Sequence, residues 1–149
     1  MEEWKHIIQL METKPLTTVN SKLELIEYYY GYTGYLIGRN DYDAARPYID
    51  KACQLTGKVI SQSPDNSTAY AYLGSFEGFR IKADSYKMML LGPRCREHIN
   101  RAEELDPDNP QALLEKGNAS NNAPAVFGGS KPEAIRYYGK AISLFEATS

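Results

Sequence analysis

Reactive side chains are scarce in this sequence, and their spacing limits the chemistry they can do. Histidine occurs twice, as His6 and His98, and cysteine twice, as Cys53 and Cys95. Cys95 and His98 share one face of a helix, but two ligands fall short of the four that a structural zinc takes, so no metal site is expected. A serine or threonine nucleophile needs a basic partner, and neither histidine sits in a motif that supplies one. Glu2-Glu3 and Glu103-Glu104 are adjacent pairs, so on helices their carboxylates diverge and read as solvated faces. Phe127-Gly128-Gly129-Ser130 lacks the spacing of a phosphate loop and reads as a turn with Phe127 plugged into the core. Gly31, Gly34 and Gly38 follow no strand and form no dinucleotide fingerprint. The expectation is a protein that is not an enzyme and that carries no cofactor.

Binding chemistry is better represented. Tyrosine is the unusual count, at 12 against 4 Phe and 1 Trp, and it concentrates in Tyr28-Tyr29-Tyr30-Gly31-Tyr32-Thr33-Gly34-Tyr35. On a helix these side chains point around most of the circumference, so some belong to the core and some to a surface. Tyrosine suits a contact surface because it supplies area and a hydroxyl at small entropic cost.

Bulk properties narrow the partners. The 149 residues carry a formal net charge of -2, which gives no electrostatic footprint for nucleic acid. The longest apolar run, Met88-Met89-Leu90-Leu91, is too short to span a bilayer. Two cysteines make no disulfide framework. The opening Met1-Glu2-Glu3-Trp4-Lys5 lacks the basic and apolar regions of a signal peptide. The expected location is cytoplasmic if Met1 is native, and periplasmic or exported if a leader was removed.

The elements that must position these residues are helices. Pro64-Asp65-Asn66-Ser67-Thr68-Ala69-Tyr70 recurs 43 residues later as Pro107-Asp108-Asn109-Pro110-Gln111-Ala112-Leu113. Proline ends one helix, the following Asp or Asn caps the next, and Pro110 suits a first helical position. Two helices joined so tightly must turn back on each other. Apolar residues between these signals recur at steps of three and four, with no strand pattern. Seven helices are predicted, over 2–12, 20–38, 42–62, 66–91, 93–105, 110–121 and 131–146. Pro47 should bend its helix or delay its start, and Ser130 with Glu133 should form a capping box.

These residues resemble the tetratricopeptide repeat family, whose 34-residue unit is a pair of antiparallel helices. The first repeat offers Tyr29, Tyr32 and Thr33, then Ala45, Ile49 and Ala52. The second offers Tyr70, Leu73, Gly74, Cys95, Ile99, Ala102 and Pro107, and the third Leu113, Lys116, Gly117, Ala134, Tyr138 and Ala141. Small residues in this set let paired helices approach closely, and large ones fill the seam. The resemblance covers residues 23–146 and implies an all-α superhelix, or solenoid, of antiparallel helix pairs. One domain, 1–149, then holds an N-terminal helix 2–12 and repeats over 23–62, 66–105 and 110–146. The repeats are expanded by 7, 9 and 5 residues, so the superhelix should be irregular. Asn122 to Gly129 also looks like a stretch found in a divergent bacterial subset of the family.

The resemblance implies a scaffold that binds a protein or peptide on its concave face. Its register puts Tyr30 and Gly34 there in the first repeat, Ser75 and Phe79 in the second, and Leu114, Asn118 and Asn121 in the third. Tyr30 and Gly34 stand where family members that clamp chaperone carboxylates use Lys and Asn, so no such clamp is expected. The alternative is a small-ligand carrier with an aromatic pocket between repeats. An open stripe favours the scaffold, and an enclosed cavity with converging polar groups favours the carrier. The last helix carries Ile135, Tyr137, Tyr138, Ala141, Ile142, Leu144 and Phe145 over more than one face, which calls for a second copy, a partner or a capping helix. Self-association through this helix should appear as a concentration-dependent rise in sedimentation coefficient at micromolar protein; a monodisperse monomer would contradict it.

Overall fold

Both Pro-Asp-Asn turns act as the sequence requires. Asn66 and Asn109 cap the helices that follow, accepting from the Ala69 amide at 2.9 Å and the Gln111 amide at 3.0 Å. Asn109 does more: its Nδ2 donates to Ser67 Oγ at 2.9 Å and to Thr68 Oγ1 at 3.0 Å, and Ser67 Oγ donates to the Ala102 carbonyl at 2.6 Å. One buried cap therefore fastens three helix ends together.

The computed structural model describes residues 2–148 and shows an all-α protein, with no strand among them. Its helices are α1 (Glu2–Glu12), α2 (Val19–Gly38), α3 (Tyr42–Gln62), α4 (Ser67–Ala83), α5 (Met88–Leu105), α6 (Pro110–Asn122) and α7 (Lys131–Thr148). Short 3-10 turns at Ser85–Lys87 and Ala125–Phe127 precede α5 and α7. Each helix packs on the next, and α2 and α6 also pack on α4. Successive helices run antiparallel: α3 and α4 pair Arg46 with Asp84 and Asp50 with Arg80, while α6 and α7 pair Asn121 with Lys131 and Asn118 with Tyr138. The Arg46 guanidinium holds the Asp84 carboxyl below its usual range.

Packing is uneven along the chain. Ile8, Leu25, Ile26, Ile49, Val59 and Phe76 are fully buried between α1, α2, α3 and α4, with Tyr29 and Tyr32 beside them. Between α4, α5 and α6 the corresponding cluster is Ala71, Ala102 and Ala112. Small residues bring these later helices into contact. A Cβ on Gly74 would overlap the Ile99 side chain, and one on Gly117 would come within 2.6 Å of the Tyr138 ring.

Two expectations are corrected, and of the two effects open to Pro47 the delayed start is absent. The break between the fourth and fifth helices lies at residues 84–87 instead of Gly92-Pro93, and α5 runs through Pro93. Asp84, held by Arg46 and Lys87, fixes the turn there, and Met89, whose carbonyl Pro93 leaves without its helical donor, is exposed to water. Pro47 does not delay α3, which starts at Tyr42 under an Asp41 cap. Only half of the capping box at α7 forms: Ser130 Oγ accepts from the Glu133 amide at 3.3 Å, while the Glu133 side chain pairs with Arg136. On α7, Ala134 and Ala141 are buried and Ile135, Ile142 and Phe145 are exposed.

The glycines separate close packing from mere flexibility. Gly117→Ala should destabilise by about 1–3 kcal/mol because the Tyr138 ring must move. Gly139→Ala, with nothing within 4 Å of the new methyl, should stabilise by about 0.5–1 kcal/mol. Thermal melts of the two variants against the parent check both signs.

Candidate functional site

The same small residues that let helices touch also leave space between them. Gly74, Ser75 and Gly78 on α4, Gly92 and Cys95 on α5, and Asn118 and Ala119 on α6 bound a partly enclosed cleft of about 1630 Å³. Tyr70, Phe79, Met88, Met89 and Phe127 add apolar and aromatic surface, and the exposed Lys82, Arg96 and Arg101 share its border with the exposed Glu97 and Glu104. Tyr86, Met89 and Leu90 before and within α5, and Val126 before α7, remain exposed. Gly128 stands at φ +91°, in the left-handed region, with Arg96 close to where a Cβ would lie, so glycine is needed to turn the chain after Phe127.

Two buried carboxylates adjoin this cleft, Glu115 among its lining residues and Glu77 behind it. Glu115 on α6 is 4% exposed. It accepts from Tyr30 Oη at 2.9 Å, Gln111 Nε2 at 2.9 Å and Asn118 Nδ2 at 3.3 Å, and Tyr138 Oη donates to Asn118 Oδ1 at 2.8 Å. Burial nevertheless pushes the Glu115 carboxyl above the usual range, and those donors only moderate the rise. The Tyr30 phenol is raised by burial and by Glu115. Glu77 on α4 is also 4% exposed and receives His98 Nδ1 at 2.5 Å, with Arg94 Nε 3.6 Å from its other oxygen. His98 reaches the cleft, and its ring lies 6.1 Å from that of Tyr70. Cys95 donates its thiol to the Gly74 carbonyl at 3.2 Å and is pushed up to about 12 by burial and by Glu77 and Glu115, so it is no thiolate at neutral pH.

The residues expected on a concave binding face divide. Ser75, Phe79 and Asn118 line the cleft. Tyr30 and Gly34 lie behind Phe79: Tyr30 packs on Tyr72, Phe76 and Phe79, and a Cβ on Gly34 would be 3.6 Å from the Phe79 ring. Leu114 and Asn121 are not among the lining residues, and Asn121 instead binds Lys131 Nζ through its side chain and carbonyl at 2.7 Å. Among the positions read as repeat-defining, Tyr29, Tyr32, Ala45, Ile49, Ala52, Ile99, Ala102, Leu113, Ala134 and Ala141 are buried. Leu73 and Tyr138 are half-buried, Pro107 lies exposed in its turn, and Tyr70 faces the cleft. Phe127, expected in the core, is 44% exposed and lines the cleft, because its 3-10 turn holds it outside the helix pairs.

Sequence reading missed Glu77 and Glu115, and it weighed His98 only as half of a ligand pair with Cys95. The four-step spacing of Gly74 and Gly78 around Glu77 was the available signal, since it places a carboxylate on a face otherwise made for close approach.

In fold, the chain is similar to the HusA haemophore from Porphyromonas gingivalis. The TM-score is 0.79 over 99% of this chain and 73% of that one, at 16% sequence identity. No protein-family model matches the chain. No curated protein matches it in sequence.

Because Glu115 titrates above its unfolded value, the native state binds the extra proton between the two pKa values, and stability falls as pH rises through that window. Glu115→Gln should remove this component. Denaturant midpoints of parent and variant measured from pH 4 to 8, a range that reaches nearly four units above the ordinary Glu pKa of about 4.3, should show the variant gaining relative stability as pH rises. A constant difference would contradict the assignment.

Proposed function

We propose that this protein is a noncatalytic carrier of a large, flat, mainly apolar ligand of the porphyrin class, haem included. The observation that carries the reading is the cleft of about 1630 Å³ itself, lined by apolar and aromatic side chains and bordered by Lys82, Arg96 and Arg101 alongside Glu97 and Glu104. Typical sites for small molecules span about 300–1,000 Å³, so this one is sized for bulky cargo. A porphyrin with carboxylate side chains matches its composition: the ring is buried against Phe79, Met88 and Phe127, and the carboxylates meet Lys82, Arg96 or Arg101. The similarity in fold to a haemophore supports the same reading.

The rival reading, a tetratricopeptide-like scaffold gripping an extended peptide, is less well supported. Of its expected contacts, Tyr30 uses its hydroxyl on Glu115 and Asn121 is engaged at the start of α7. A tetratricopeptide-type origin for the helix pairs remains compatible with the close approaches at Gly74 and Gly117.

Titration of the protein with ferric haem and with metal-free protoporphyrin, followed by absorbance, should give saturable binding of both. Ala119→Trp, which fills the cleft from α6, should weaken both by about ten-fold or more, equivalent to about 1.4 kcal/mol. Absence of saturable binding by either porphyrin would overturn the proposal.

A further inference from the structure

We propose that His98 Nε2 ligates the iron of a bound haem and that Glu77 is its positioning residue; this rests on the porphyrin-carrier reading. The geometry is that of a histidine prepared for a metal. Glu77 is buried, on the preceding helix, and does not reach the cleft, whereas His98 does. A carboxylate can only accept, so Nδ1, at 2.5 Å, carries the imidazole proton. That fixes the tautomer and leaves a lone pair on Nε2, on the side of the ring away from Glu77. Among the described residues Nε2 has no hydrogen-bond partner. A histidine whose far nitrogen is held by a carboxylate is the usual arrangement at protein metal sites, since the hydrogen bond sets the ring's orientation and strengthens its basicity.

Other donors on the cleft are less suitable. Cys95 keeps its proton and donates it to Gly74. Tyr42 donates its hydroxyl to Asn40 Oδ1 at 2.9 Å. Tyr70, lying beside His98 on the same wall, and the thioethers of Met88 and Met89 are the remaining competitors, and neither oxygen nor sulfur gives the signature of an axial nitrogen. Ligation by His98 forms one Fe–N bond and displaces a water or hydroxide from ferric iron. No electron moves, and the Nδ1 proton stays on the hydrogen bond to Glu77.

The test compares ferric haem with metal-free protoporphyrin on the full chain. The wild-type ferric complex should show the absorption and electron paramagnetic resonance signature of an axial nitrogen ligand. His98→Ala should abolish it and weaken ferric haem binding by at least ten-fold more than it weakens metal-free porphyrin binding. Added imidazole should restore the signature, which separates lost ligation from lost folding. Glu77→Gln should keep the nitrogen signature but lower ferric haem affinity selectively, by about 10–100-fold. If both porphyrins bind and the ferric spectrum is the same in His98→Ala, the ligand assignment is overturned while the carrier reading stands. Loss of the signature in Tyr70→Phe with retention in His98→Ala would likewise overturn it. If neither porphyrin binds the wild type, the carrier reading fails and the assignment fails with it.

Discussion

The hydrogen bond from Tyr30 to Glu115 joins residues 85 positions apart in the chain and is the interaction on which the cleft's back wall depends. It ties α2, in the large-residue half of the protein, to α6, in the small-residue half. A buried carboxylate is costly unless its acceptor sites are filled, and Tyr30, Gln111 and Asn118 fill them. Asn118 in turn holds Tyr138, so the same carboxyl group orders α7. Removing any one donor leaves a buried acceptor site on Glu115 unfilled.

The division between halves has a simple steric origin. Helices α1 to α4 interdigitate Ile, Leu, Val, Phe and Tyr, and their seam is filled. Beyond α4 only Leu91, Ile99 and Leu113 are large buried apolar side chains, and the closest approaches are made by Ala and Gly, which bring backbones together at a few points without filling the space between them. Helix α4 belongs to both regimes: Phe76 faces the core, while Gly74, Ser75, Gly78 and Phe79 face the cleft. The rigid half thus supports one wall of the open half.

Much of the fold was legible because helix punctuation is local. The two Pro-Asp-Asn turns, the three-and-four apolar spacing and the small residues at 74, 102 and 117 all act within a few residues or between adjacent helices. The misplaced break at Gly92-Pro93 shows the limit of that logic, since the turn at Asp84 is fixed by Arg46 from another helix. The candidate site was legible only in part. Ser75, Phe79 and Asn118 followed from helical register, but Glu77, Glu115 and His98 did not. A glutamate on a helix carries no local mark of burial, and its partners lie on other helices.

Trp4 is the sole tryptophan of the chain, and it packs from α1 onto α2 where a Cβ on Gly31 would collide with its ring; Tyr28 meets it edge-on at 6.3 Å. Helix α1 is tied further by Ile8 and Met11 at the core and by Glu12, which receives Tyr29 and Lys51. Indole emission from this protein therefore reports one event, the seating of α1. A shift of that emission without loss of helical ellipticity marks the release of α1 from an otherwise intact body, and it distinguishes fraying at the start of the chain from collapse of its centre.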